Sequence, residues 1–189
     1  MKNLKDLNIL ELEIYAKVIA NSRDKTISRE NESIMLHEFF KRYKDIHKSY
    51  IELIKAGDHA IAIEALKRAL FIQWIGSFEP NYLTGIELAF DSDDSEIKSV
   101  GIELEDMQFI YDHLDNLIST ESLDDELCEM LSYYSNWEFV FEYANFSEYK
   151  HLHNFTFNVV DKNKAWHESI KKRNLNHRGQ MGQYFLSLN

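Results

Sequence analysis

Residues 59–78, HAIAIEALKRALFIQWIGSF, decide the fold class of this chain. Polar side chains are few in this stretch, chiefly Glu64, Lys67, Arg68 and Gln73, and apolar residues surround the rest of the helix that it would form. A helix that is apolar on nearly every side has to be enclosed by other parts of its domain. We therefore expect residues 59–78 to form the central helix of a helical domain.

Two residues immediately before this stretch predict a sharp boundary with a preceding helix. Gly57 can adopt the left-handed backbone conformation that ends a helix, and Asp58 can accept hydrogen bonds from the first turn of the next one. Because the connection is short, the two helices are expected to be antiparallel neighbours. The three- and four-residue spacing of apolar side chains predicts further helices over residues 4–20, 29–56, 80–89, 94–118, 123–144 and 161–173.

Side chains that accept hydrogen bonds predict where helices of the second half begin. Asp93 and Glu96 have the spacing of a capping box. Ser122 is the expected cap of the following helix. These caps and the apolar spacing together predict a second helical hairpin over residues 94–144. Residues 155–159 alternate like a short strand, but a lone strand would have no partner in this chain.

The composition agrees with an all-helical fold. The 189 residues include only six Gly and one Pro, so the residues that tight turns between strands need are scarce. We predict an all-α fold, either a helical bundle or a short stack of helical hairpins, with about five to seven helices. Residues 1–160 are expected to form one all-helical domain. Residues 161–189 are expected to be a basic short helix and a loosely ordered tail, packed on that domain or trailing from it.

Three features predict a cytoplasmic protein without membrane association. The first residues, MKNLKDLNILELE, contain acids where a signal peptide needs an unbroken apolar stretch. Apolar stretches such as Ala69–Ile72 are far too short to span a bilayer. The one cysteine, Cys128, cannot form an internal disulfide, which is typical of a reducing compartment.

Charge is distributed very unevenly along the chain. Residues 1–68 hold 13 Lys and Arg against 11 Asp and Glu, whereas residues 69–149 hold 19 acids and a single base, Lys98. Residues 150–189 hold seven bases and two acids. The middle block therefore carries a net charge of −18 in a chain of net charge −11. Such a block repels the phosphates of nucleic acids and attracts cationic surfaces.

The hypothesis that this charge favours is a non-catalytic protein-binding module without a cofactor. An acidic helical surface would steer a cationic partner protein, and aromatic side chains would supply much of the binding energy. Proteins of this physical type neutralise basic toxins or nucleases, so an inhibitor or immunity-type role is the analogy that we draw. The residues expected to contact the partner are Glu103, Glu105, Asp106, Asp112, Asp115, Asp125, Glu129 and Tyr133.

The alternative hypothesis is a metal-dependent enzyme or small-molecule binder with a site between helices. Glu148 and His151 have the Glu-x-x-His spacing that presents two metal ligands on one helix face, and His153 is close in sequence. A di-iron bundle needs this element twice, and no other histidine here follows an acid by three positions. Residues 73–82 could also line a pocket, although we favour hydrogen bonding among their own polar groups. Self-association of two copies is a third alternative.

Four other features have structural interpretations. The acidic run 91–96 lacks the glycine and glutamate that a calcium loop needs at its sixth and twelfth positions, so helix capping accounts for it. Acids beside Cys128 disfavour a thiolate nucleophile. The segment 178–182, Arg-Gly-Gln-Met-Gly, has no strand before it as a phosphate loop would, and is expected to belong to the tail. Ten aromatic residues within 133–157 are predicted to lie mostly in the core.

Overall fold

The computed structural model describes residues 2–23, 26, 29–78, 101–136, 146–158, 169–170 and 172–188. Within these residues there are seven α-helices, one short 3-10 turn and no strand, so the predicted all-α class is confirmed. None of the described helices is long and apolar enough to cross a membrane. The elements are α1 (Leu4–Arg23), α2 (Arg29–Lys55), α3 (His59–Phe78), α4 (Leu104–Ser119), α5 (Asp125–Tyr134), the 3-10 turn Phe146–Glu148, α6 (Lys150–Phe157) and α7 (Gly179–Ser187).

The helix α3 is the centre of the described structure, as its sequence predicts. Every residue from Ala65 to Trp74 is buried, including the polar side chains of Lys67, Arg68 and Gln73. The helix packs most extensively against α2, and it also contacts α4 and α7. Since each large apolar side chain that becomes buried contributes about 1.5–3 kcal/mol, this shared core positions the surrounding helices.

The connection between α2 and α3 forms as predicted. Gly57 has a φ of +83°, in the left-handed region that glycine adopts without strain. The Oδ1 atom of Asp58 accepts a hydrogen bond from the backbone N–H of Ile61 at 3.1 Å. Both predicted roles, ending α2 and capping α3, are confirmed.

The helix α4 begins later than the sequence predicted. Residues 101–103 are not helical, and the helix starts at Leu104 rather than near residue 94. Glycine at position 101 disfavours helix, and Ile102 is buried in the core from this non-helical position. The predicted capping box at residues 93–96 lies outside the described residues.

The helix α5 has a different cap from the predicted one. The cap is Asp124, whose Oδ1 accepts a hydrogen bond from a first-turn backbone N–H at 2.7 Å. Ser122 instead donates its hydroxyl proton to a backbone carbonyl within the preceding turn. That turn includes Glu121 in the left-handed region, which extends the connection past Ser122. The helix ends at Tyr134, and residues 137–144 of the predicted helix lie outside the described residues.

Residues 179–187 form a helix with one buried side rather than a loosely ordered tail. The helix α7 packs against α1 and α3. Met181 and Phe185 are four residues apart, so both point into the core from the same face of this helix. The strand-like alternation beginning at residue 155 does not form a strand within the described residues, because residues 155–157 belong to α6.

Two other helices predicted in the second half of the chain fall largely outside the described residues. The predicted helix 80–89 lies outside it entirely, as does most of the helix predicted at 161–173. The division of the chain at residue 160 stays a prediction.

Candidate functional site

Five carboxylates on α4, on the turn after it and at the start of α5 form what we call the acidic face. Within the described residues, no lysine or arginine forms an ion pair with any of them. On α4, the seven-residue spacing of Glu105 and Asp112 puts both on the side opposite the buried Met107 and Leu114, about 10 Å apart along the axis. The acidic face consists of Glu105, Asp112, Asp115, Glu121 and Asp125, of which only Asp115 is half-buried.

Asp115 also has a structural role at the edge of the acidic face. Its Oδ1 atom accepts a hydrogen bond from the backbone N–H of Leu152 at 2.8 Å, in the first turn of α6. Tyr149, the residue before α6, lies near three carboxylates: burial raises the pKa of its phenol, and the charges of Asp112, Glu148 and Asp115 raise it further. The negative field of the acidic face therefore extends to Glu148.

Two of the predicted partner-binding residues face α2 instead of open solvent. Glu103 binds the Nζ atoms of Lys44 and Lys48 at 2.8 and 2.9 Å, and these hydrogen bonds lower its pKa. Asp106 lies 4.0 Å from Lys48, and burial raises its pKa. These two acids hold α4 against α2.

Two further predicted residues face the C-terminal segment. Glu129 accepts hydrogen bonds from Arg173 and from the Ser169 hydroxyl, the latter at 3.0 Å. Tyr133 is only 8% exposed, and its hydroxyl lies 2.9 Å from that of Tyr184. Of the eight residues predicted to contact a partner, Glu105, Asp112 and Asp125 are the exposed ones.

A partly buried ion network joins α3, α5 and the segment before α7. Lys67 binds Asp124 and Glu126 at 2.5 and 2.8 Å. Arg178 binds Glu126 at 2.5 Å and Glu64 at 2.6 Å. Burial raises the pKa of Glu126, but the hydrogen bonds and charges of Arg178 and Lys67 outweigh it, so that this pKa falls to about 2. Lys67, Arg173 and Arg178 thus neutralise inner carboxylates, and no base in the described part of the chain pairs with the acidic face.

Sequence reasoning missed a second buried polar cluster, where α7 meets α1. The backbone N–H of Gly179 donates to Asn8 Oδ1, and that of Gln180 donates to Glu11 Oε2, both at 2.7 Å. The hydroxyl of Tyr50 donates to the other oxygen of Glu11. Gly179 has a φ of +61°, and a Cβ atom there would overlap the Glu11 carboxylate. The signal in the sequence was the pair of glycines within 178–182, which we interpreted as part of a tail.

A third buried polar contact links α2 to α3. The Nε2 atoms of His47 and Gln73 are 2.9 Å apart. Burial lowers the pKa of His47 to about 3, so its imidazole is neutral at ordinary pH. Gln73 therefore has a hydrogen-bond partner on α2. Residues 79–82, which hold the other polar groups of the segment that we predicted to bond mainly within itself, lie outside the described residues.

The alternative metal site does not assemble within the described residues. Glu148 belongs to the 3-10 turn and His151 to α6, so the two do not share one continuous helix. His153 stacks on Phe157 with ring centroids 4.4 Å apart. No group of three or more His, Cys, Asp or Glu in the described part of the chain could hold a metal ion.

A polar cavity of about 300 Å³ lies between the start of α3 and the turn before α5. The charged groups Glu64, Lys67 and Asp124 in its wall already pair within the ion network. The cavity therefore adjoins that network, away from the predicted metal ligands. Its lining residues are His59, Ala60, Ile63, Glu64, Lys67, Ser122 and Asp124.

Comparisons of this chain with protein families, with curated proteins and with solved structures found no match.

Proposed function

We propose that this protein is a non-catalytic binding module that docks a cationic protein partner on its acidic face. The observation that carries the proposal is a contrast within one stretch of chain. Residues 101–136 contain ten acids and no lysine or arginine. Glu103, Glu126 and Glu129 are matched by bases from elsewhere in the described chain, whereas the acidic face is not. An inhibitor or immunity-type protein that neutralises a basic partner fits this description.

The electrostatics of α4 support the same proposal. The C-terminal end of a helix carries a partial negative charge, and the last turn of α4 contains no basic residue to offset it. Glu121 and Asp125 follow this end and add to the negative potential. A partner with lysines or arginines would relieve the repulsion among these groups, and the field would raise its association rate by about 10-fold to 1000-fold.

The test compares two variants that change the net charge equally. The first reverses the acidic face with E105K, D112K and D125K; the control reverses three exposed acids elsewhere, E13K, D45K and E52K. Both variants should keep the helical circular dichroism and urea midpoint of the wild type to within about 0.5 kcal/mol, since surface substitutions are rarely costlier. We expect a basic protein captured at low salt to be retained by wild type and by the control, but not by the first variant.

Association kinetics with the captured protein complete the test. The on-rate of wild type should fall steeply as ionic strength rises, because salt screens exposed charges over about 10 Å at 0.1 M. Either of two results would rule out the acidic face as the docking surface: an on-rate that does not change with ionic strength, or equal retention of the captured protein by both variants.

A further inference from the structure

The carboxyl group of Glu11 lies in an unusual position for an acid. It is 1% exposed, at the junction of α1, α2, α3 and α7. Within the described residues no lysine, arginine or histidine forms an ion pair with it, and the nearby Arg68 binds Glu64 Oε1 at 2.8 Å. Instead, Glu11 accepts a hydrogen bond from the backbone N–H of Gln180, and Asn8 accepts one from that of Gly179, so the two side chains bind the first N–H groups of α7. The docking of the last helix therefore depends on a buried acid without an ionic partner.

The groups that face Glu11 come from every element packed around it. Tyr50 donates its hydroxyl to it, and Tyr43 is held nearby by donating to Gln180 Oε1 at 2.7 Å. On the C-terminal side the carbonyl of His177, whose side chain is exposed, accepts from Arg68 at 2.9 Å. Within the described residues, the groups around it are Asn8 on α1, Tyr43 and Tyr50 on α2, Glu64 and Arg68 on α3, and Gly179 and Gln180 at the start of α7; Arg178, just before them, binds Glu64.

Removing a carboxylate from water without an ion pair disfavours its charged form. The neutral acid fits the same place, because its carbonyl oxygen can accept from the Gln180 N–H while its O–H donates to the Tyr50 oxygen. When α7 separates from α1, Glu11 regains water and its ordinary acidity. Docking of α7 is then accompanied by uptake of a proton.

We propose that Glu11 is a proton-sensitive clamp, which holds the C-terminal helix α7 more tightly at mildly acidic than at mildly alkaline pH. This inference is independent of the acidic face. In support, burial raises the pKa of Glu11 from 4.5 to about 7, against smaller lowering effects of Tyr50, Gln180 and Arg68. Because the docked pKa is the higher one, the stabilisation is complete below pH 4.5 and is lost as pH rises through 7. Between pH 6 and 8, the opening equilibrium of α7 should increase about tenfold.

The experiment is amide hydrogen exchange of the whole chain at pH 6 and pH 8, with rates corrected for intrinsic exchange. In the wild type we expect the protection factors of α7 to fall about tenfold from pH 6 to pH 8, which corresponds to about 1.4 kcal/mol. In E11Q the side chain cannot ionise, so this fall should disappear. Two matched controls, E13Q on the exposed side of α1 and H177N beside the clamp, should keep it.

Two results would overturn the proposal: unchanged protection of α7 in the wild type, or the same pH dependence in E11Q as in the wild type. Should E11Q fail to fold, a carbon-detected NMR titration of the Glu11 carboxyl in the wild type gives an independent readout. We expect a midpoint near pH 7, as its raised pKa of about 7 requires. A midpoint near 4.5 would contradict the clamp.

Discussion

Replacing Gly179 with alanine is the most direct test of how α7 is anchored. The residue has a φ of +61°, where an L-residue is strained, and a Cβ atom would overlap the carboxylate of Glu11. Either Glu11 or the start of α7 must move. Movement breaks the hydrogen bond that the Gln180 backbone N–H donates to Glu11.

The expected loss of unfolding free energy follows from these two effects. The left-handed conformation costs an alanine about 1–2 kcal/mol. Alanine also lowers the conformational entropy of the unfolded chain relative to glycine, which offsets this cost by about 0.4–1 kcal/mol. Breaking a buried hydrogen bond to a charged group costs about 1.5–3 kcal/mol. The sum for G179A is a loss of about 3 kcal/mol.

The matched control is G57A, because Gly57 has a φ of +83° and nothing within 4 Å of an added Cβ atom. Only the backbone strain applies there, so the net loss should be about 1 kcal/mol. Urea unfolding at pH 7 followed by circular dichroism measures both, and with a slope of about 2 kcal/mol/M the midpoints should fall by about 1.5 M and 0.5 M. In an E11A background, which removes the obstructing carboxylate, G179A should cost no more than G57A does. Equal losses for G179A and G57A in the wild-type background would refute this account of α7.

Three other substitutions test the buried polar groups. R178M should cost about 1.5–3 kcal/mol through the charged hydrogen bonds that Glu64 and Glu126 lose, while Arg68 and Lys67 still pair with them, whereas R42M, at the exposed pair with Glu38, should change urea stability by less than about 0.5 kcal/mol. The wild type should also lose stability as pH falls from 4.5 toward 2, since the folded pKa of Glu126 is about 2; this dependence should be weaker in R178M. For His47, whose folded pKa is about 3, the stability of the wild type relative to H47Q should fall as pH drops from 6.5 toward 3, because the unfolded state takes up the His47 proton; the difference between their unfolding free energies should shrink from pH 6 through 5 to 4, and a constant difference would contradict a buried neutral imidazole. D124A should cost about 1–2 kcal/mol through the lost cap of α5. A comparable loss in S122A would indicate that Ser122, and not Asp124, caps this helix.

The elements that the sequence predicted well are those whose signal is local. An apolar stretch from Ala65 to Trp74, interrupted by few polar residues, has to be central. Gly57 and Asp58 sit next to each other and need no distant partner for their roles. The cap of α5 was harder, because Ser122 and Asp124 are both good capping residues. The conformation of the turn, not residue type, decides between them.

The sequence predicted the region of the candidate site, but not which of its acidic side chains are exposed. Glu105 and Glu129 look alike in the sequence, yet one is exposed and the other binds Arg173 from the far end of the chain. Periodicity cannot show such a pairing, because it reports only which side of its own helix a residue occupies. The short helix α7 was missed for the same reason: its anchoring contacts join residues at opposite ends of the sequence.

The junction of α1 and α7 constrains the order in which this protein can acquire its native structure. Glu11 and Asn8 leave the ribosome before their partners Gln180 and Gly179, which are 169 and 171 positions further along. Until Gln180 is available, Glu11 lacks the backbone N–H group from which it accepts a hydrogen bond in the folded protein. Closing so long a loop is slow compared with forming local helical contacts. The native docking of α1 on α7 therefore follows the formation of local helical contacts.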